Sequence, residues 1–280
     1  MRLGGPVFVD TADPEELARA HRALGYRAAY CPHLDPEDQS GTRAVREAFA
    51  KHDVVIAEVG VWNNLMDPDD AKRAANLEAM KRALALADVV GALCCVNIAG
   101  SRDADYWAGH HPHNFSRDSF DLAVANAREI VDAVRPKRAK LTYEMMPWAI
   151  PDSPDSYLDL VKAIGRPAFG VHLDVVNIVN GPRRYYDNAA LIRECFAKLG
   201  PQILCCHLKD VRLDQKLTVH LDEVMLGQGG FDIKTHLLEV QKLPHQPPVL
   251  LEHLETAEEY DQARRYVMGL AKEIAVDFER

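Results

Sequence analysis

Four short apolar runs in this sequence each end in side chains that can bind a metal or move a proton. They are Leu141-Thr-Tyr-Glu144, Phe169-Gly-Val-His172-Leu-Asp174, Ile203-Leu-Cys-Cys-His207-Leu-Lys209-Asp210 and Val249-Leu-Leu-Glu252. A carboxylate alone at the end of an apolar run is as often half of a buried ion pair or a helix cap. Four runs ending alike supply three carboxylates and one imidazole, from Glu144, Asp174, His207 and Glu252. That hard, oxygen-rich set suits Mn²⁺, Mg²⁺ or Co²⁺ with positions open to water, Mn²⁺ above all, better than a closed zinc site. Residues two apart on a strand share a face, so His172 accompanies Asp174 and Lys209 accompanies His207. His172 is then either a catalytic or a structural histidine. Lys209 either offers a cation to a developing oxyanion or pairs with Glu252 or Asp210.

The spacing says what must hold these residues. The intervals are 30 residues (144 to 174), 33 (174 to 207) and 45 (207 to 252), each long enough for a crossover helix and the next parallel strand. The expectation is an α/β protein, a single (β/α)8 barrel over residues 1–280, with its chemistry at the C-terminal ends of the strands. The strands are expected at 6–10, 27–31, 53–60, 92–98, 140–146, 169–177, 203–208 and 249–254. Helices are expected from the cap Asp13 to about Gly25, then at 41–51, 69–87, 118–134, 153–164, 188–199, 232–241 and 256–275.

Two connections are longer than the rest. Ser101 to Ser116 carries Trp107, His110, His111 and His113 and reads as a loop covering a substrate, with the histidines meeting hydroxyl groups. Trp62 and Trp107 are candidates for stacking on a sugar face. Asn177, three residues past Asp174, is a further contact candidate. The second connection, Val211 to Phe231, holds Gly227-Gln-Gly-Gly230, which follows no strand directly and lacks a full phosphate-binding pattern.

Composition excludes several classes. A net charge of −9 argues against binding a nucleic-acid backbone. Six cysteines lie as two adjacent pairs in strand-like runs and two isolated residues, the pattern of small buried hydrophobes. No apolar stretch reaches the length of a membrane span and no signal segment follows Met1, so a cytoplasmic protein is expected.

Glu144, the His172-Leu-Asp174 run, the His207-Leu-Lys-Asp210 run, Gly227-Gln-Gly before a helix, and Glu252 together resemble the xylose isomerase-like barrels. That family includes sugar and sugar-phosphate isomerases and epimerases. In it the equivalents of Glu144, Asp174, His207 and Glu252 bind the metal, and the two glutamates also move protons. The resemblance implies a divalent-metal-dependent isomerase or epimerase of a small sugar or keto-polyol. It would work through a metal-stabilised enediolate, with the proton passed between Glu144 and Glu252. Asn177 departs from the histidine that the epimerases often carry there. This opens the alternative of a lyase or dehydratase, cleaving 3-keto-glycosides or dehydrating keto-inositols. Relatives are often dimers or tetramers, so a homo-oligomer or a second subunit completing the site is compatible with the resemblance. An endonuclease of the same barrel would need more histidines at strand ends and a basic face, and a binding protein would carry only a vestigial metal site.

Overall fold

The apolar runs form strands. In the computed structural model, which describes residues 1–278, they are β1 (Leu3–Gly4), β2 (Ala28–Tyr30), β3 (Val55–Gly60), β4 (Cys94–Asn97), β5 (Lys140–Glu144), β6 (Phe169–Leu173), β7 (Ile203–Leu208), β8 (Asp210–Asp214), β9 (His220–Val224) and β10 (Val249–Leu251). All but β8 and β9 pair in parallel and close into a barrel, with β1 between β10 and β2. Register sets the site: Glu144 lies opposite His172, His172 opposite Cys205, and Leu250 opposite His207.

The helices are α1 (Pro14–Ala23), α2 (Gln39–Lys51), α3 (Asp70–Val90), α4 (Arg117–Val134), α5 (Pro154–Ile164), α6 (Pro182–Tyr186), α7 (Asn188–Leu199), α8 (Ile233–Lys242) and α9 (Ala257–Glu273). Their starts follow capping chemistry. Asp13, Asp38, Asp69, Ser116, Ser153, Asp232 and Thr256 each accept a backbone N–H of the first turn. Met80, Leu84, Ile130, Leu160, Ile192 and Val267 are fully buried where helices meet the outside of the barrel. Tyr157 reaches through this layer: its hydroxyl donates to the Tyr143 carbonyl and accepts the His172 N–H at 3.0 Å, fixing two site strands together.

Three expectations are corrected. The first strand is Leu3–Gly4, not residues 6–10. Pro6 has no N–H for a ladder, and beyond it Phe8 and Val9 are 54% and 45% exposed. At Gly4 a side chain would collide with the Ala28 carbonyl and Leu250, so a glycine lets the barrel close. Of the strands bearing the site, β7 has its expected bounds but β5, β6 and β10 end earlier, so Asp174 and Glu252 stand just past β6 and β10. Finally, the connection after β7 is an antiparallel hairpin, β8 against β9. Its base is tied by the buried Asp210 carboxylate, which accepts the N–H groups of Val211, Gly227, Gly229 and Phe231 at 2.8–3.0 Å. A Cβ at Gly229 would strike that carboxylate, which gives the glycine-rich segment its role.

His236 of α8 is fully buried, with no hydrogen-bond partner at either ring nitrogen, its ring centroid 5.4 Å from that of Phe196 and 5.8 Å from that of Phe231. Burial pushes its pKa down from 6.5 to about 4. Below pH 6.5 the unfolded chain therefore binds a proton there that the folded chain refuses, and stability is lost as pH falls from 6.5 towards 4. At 1.36 kcal/mol per pH unit the loss from this residue reaches about 3 kcal/mol. Denaturant titrations of wild type and His236→Leu across that window should differ in slope by this component; parallel curves would show that His236 does not titrate as described.

Candidate metal centre

The ends of four barrel strands converge on one buried cluster. One ligand atom from each of Glu144, Asp174, His207 and Glu252 lies within 4.8 Å of the others. These residues are 6%, 0%, 3% and 6% exposed, which is costly for charged groups unless they are compensated. His207 Nδ1 sits 2.8 Å from Glu144 Oε1 and 2.7 Å from Glu252 Oε2. Its other nitrogen points away from the mouth, 3.2 Å from Oε2 of Glu58 on β3. That same oxygen is 2.7 Å from His172 Nε2, and the two imidazoles meet edge to face at 4.2 Å. One buried carboxylate thus bridges both histidines. If it accepts His207 Nε2–H, the Nδ1 lone pair faces the cluster, as a metal ligand requires.

Lys209 supplies a second internal cation. Its Nζ lies 2.7 Å from Glu252 Oε1, 2.8 Å from Asp174 Oδ2 and 3.4 Å from Glu223 Oε1. The first two oxygens nonetheless have no well-directed hydrogen bond. The contact is charge compensation that leaves lone pairs free. Of the two expected partners of Lys209, Glu252 is in place; Asp174 stands where Asp210 was expected, because the Asp210 oxygens are committed to the hairpin base.

Proton affinities follow from burial and these charges. Burial drives the Asp174 carboxyl up, to about 8, against the opposing pull of Lys209. Burial also acts to raise Glu252 and Glu58, but the nearby cations prevail and hold both well below the usual carboxylate range: His207 and Lys209 for Glu252, His207 and His172 for Glu58. The imidazole of His207 and the amine of Lys209 are lowered by burial yet raised overall by the carboxylates around them. Three carboxylates, an outward-facing imidazole nitrogen and free lone pairs on Asp174 and Glu252 fit a divalent cation. A neighbouring set, Glu58, His172 and Cys205, fits less well, since burial holds the Cys205 thiol well above its ordinary value and so protonated.

The cluster forms the floor of a cavity of about 820 Å³. Of the four metal-ligand candidates, Glu144 and Glu252 line it; Asp174 and His207 lie beneath. Trp62, Trp107 and Asn177 are also on its wall. His172 and Lys209, expected as catalytic groups, are not, because each is held below the floor by Glu58 or by Asp174 and Glu252. Nor are His110, His111 and His113: the His111 ring turns to cap Pro112–Phe115, accepting the His113 N–H at 3.2 Å, and His110 and His113 are exposed.

Sequence reasoning missed four residues here. Glu58 sits inside a strand rather than at its end, and a charge within the run Val55-Ile-Ala-Glu-Val was the signal. Trp148 lines the cavity and donates Nε1–H to the Ala108 carbonyl at 2.7 Å. Glu223 arrives on the hairpin, with Oε2 2.8 Å from His253 Nδ1. His253 follows Glu252 in a left-handed conformation, φ 57°, which is strained for a side chain and typical of sites where geometry outranks comfort.

Fold and cluster together define a closed β/α barrel with a carboxylate and imidazole centre at its C-terminal mouth. The chain belongs to the xylose isomerase-like TIM barrel family, whose model matches residues 17–269. Similar solved structures include the probable 3-DHS dehydratase AsbF of Bacillus anthracis (14% identity, TM-score 0.72, 97% of this chain and 99% of that one). Endonuclease IV of Thermus thermophilus is comparably similar (15%, 0.72, 98% and 100%). So is D-psicose 3-epimerase of Clostridium cellulolyticum, solved with D-tagatose (12%, 0.69, 99% and 100%). At these identities the likeness is one of fold. No curated protein matches the sequence significantly. No helix among the described residues is long and apolar enough to cross a membrane.

Asn114 is a principal anchor of the loop over the mouth. Asn114, 1% exposed, donates to the carbonyls of Gly109 and Trp148 at 3.0 and 3.1 Å and accepts the Arg102 N–H at 2.8 Å. At about 1 kcal/mol per hydrogen bond, Asn114→Ala should favour local opening of residues 101–116 by roughly 10²-fold, read as faster amide exchange there with the barrel strands unchanged. Equal exchange in both proteins would show that the loop is held by other contacts.

Proposed function

We propose that the protein is a divalent-metal-dependent enzyme that moves a proton at the carbon next to a carbonyl in a keto-polyol, as an isomerase or epimerase. The carrying observation is that, of the four clustered donors, only Glu144 and Glu252 reach the cavity. Glu144, Asp174, His207 and Glu252 would hold the ion, with Mn²⁺ the first candidate and Mg²⁺ or Co²⁺ next. A bound cation supplies Lewis-acid polarisation of the substrate carbonyl. Glu144 and Glu252, on strands separated around the ring by β6 and β7, reach a substrate carbon from different sides, so one removes the proton and the other returns it. Lys209 holds the second oxygen of Glu252, and Glu58 orients His207; both are positioning residues.

A second reading, a lyase, is favoured by His253. It lines the cavity beside Glu252 and pairs with Glu223, where it can hand a proton to a departing group. Product analysis with a 3-keto-glucoside and Mn²⁺ separates epimerised sugar from cleaved product.

The roles are separable by calorimetry and kinetics. Glu252→Gln keeps the shape and one donor oxygen but removes the base, so Mn²⁺ affinity should fall moderately and kcat at saturating metal by about 10² to 10⁴. Near-normal kcat with full metal occupancy would rule Glu252 out as the base. Glu58→Gln should weaken Mn²⁺ binding by about 10- to 100-fold while sparing kcat at saturating metal, because a neutral amide lacks the negative charge that the two imidazoles share. Failure of the wild type to bind any divalent ion would sink the proposal as a whole.

A further inference from the structure

Every tryptophan in the chain lines this cavity. The sequence holds three, Trp62, Trp107 and Trp148, placed after β3, β4 and β5, and none is spent on the core. Trp62 and Trp148 are 45% and 41% exposed. An indole is the largest single contribution a side chain can make to burial, and three clustered with wet faces in one concave site mark a surface built to receive something apolar. Their orientations are fixed. Trp148 is tethered to Ala108, and Trp62 lies so close over Gly60 that a Cβ there would come within 2.9 Å of its ring nitrogen. The hairpin adds a further apolar surface in Val211, Val219 and Leu221. The polar lining groups are Glu144, Glu252, Asn177, Asn180 and His253, with Glu223 reaching in from the hairpin.

Charge narrows the occupant further. Neither lysine nor arginine appears among the described residues lining the cavity. The nearest ammonium, Lys209, is committed to Asp174, Glu252 and Glu223. A phosphate or carboxylate held against the walls would meet no lysine or arginine there, and among the lining side chains only the His253 imidazole, already paired with Glu223, could carry positive charge. The volume, about 820 Å³, is that of a drug-sized ligand site, and a single sugar ring fills only a fraction of it.

We infer that the substrate is an uncharged, amphipathic keto-polyol. Its hydroxy-ketone end rests on Glu144 and Glu252, and a flat apolar substituent such as an aryl aglycone lies between the indoles. This rests on the reading of the floor as a metal-dependent carbonyl site and adds what the walls select.

The test compares ligands on one metal-loaded protein. Mn²⁺ binding is first measured alone; its absence overturns the floor reading and takes the inference with it. With Mn²⁺ bound, phenyl and methyl 3-keto-β-D-glucopyranosides are titrated by calorimetry, with tryptophan fluorescence followed in parallel. The phenyl compound should bind at least about tenfold more tightly and change the indole emission. Trp62→Ala and Trp107→Ala, which both leave the Trp148–Ala108 tether in place, should each remove most of that preference while Mn²⁺ affinity stays the same. Phenyl and methyl ligands binding within about threefold of each other, or the preference surviving both substitutions, overturns the inference and leaves the metal reading intact. D-fructose 6-phosphate binding more tightly than D-fructose would overturn the claim that the substrate is uncharged.

Discussion

The structure depends on keeping four carboxylates, Glu58, Glu144, Asp174 and Glu252, almost entirely out of water within a few ångströms of one another. Each would cost several kcal/mol if buried alone. The barrel meets this with two internal cations placed between them, His207 and Lys209, both on or just beyond β7. The alternation of a strand then explains the pattern His207-Leu-Lys209: Leu208 faces the helices while its neighbours face the carboxylates. The compensation is incomplete, since Asp174 and Glu252 each keep an oxygen without a directed hydrogen bond. A centre arranged only for stability would satisfy those atoms or replace them with apolar groups. One arranged to receive a cation would leave them as they are.

The same constraint explains how much could be read from the sequence. Strand ends carrying Glu144, Asp174, His207 and Glu252 were legible because short apolar runs stop there and the polar residue stands out. Glu58 was not, because it interrupts a strand that continues to Gly60, and only its pairing with histidines from two other strands gives it a reason. The first strand was misplaced for a related cause: two glycines at 4 and 5 mask a strand whose pairing depends on close backbone approach, while Val7, Phe8 and Val9 imitate one. The hairpin after β7 was legible in principle. Its first strand, Asp-Val-Arg-Leu-Asp, alternates cleanly, but its second, His-Leu-Asp-Glu-Val, does not, and the glycines beyond drew the reading towards a plain loop.

The histidines of the covering loop show the limit of composition as a guide. Three in four residues look like a binding surface, yet the loop's conformation is decided by Asn114 and by Trp148, which bind backbone from either side. Once those contacts are made, Trp107 is turned to the cavity and His111 to its own turn. Side chains that satisfy backbone groups fix a loop; side chains that look chemically useful take the directions left over.

This division between floor and wall also bears on why one barrel serves so many reactions. The floor is built on strands, where register leaves little freedom, and its donors answer to one physical demand, holding charge in a dry place. The walls come from the segments after β3, β4 and β5 and from the hairpin, which can change without disturbing the ladder. Floor residues therefore speak to the kind of bond chemistry, and wall residues to what is admitted. In this chain the floor gathers carboxylates and an imidazole, whereas the lining, among the described residues, holds three indoles and neither lysine nor arginine. Floor and walls therefore constrain a ligand independently: the clustered donors decide which groups can reach the floor, and the exposed indoles favour a hydrophobic extension beside them.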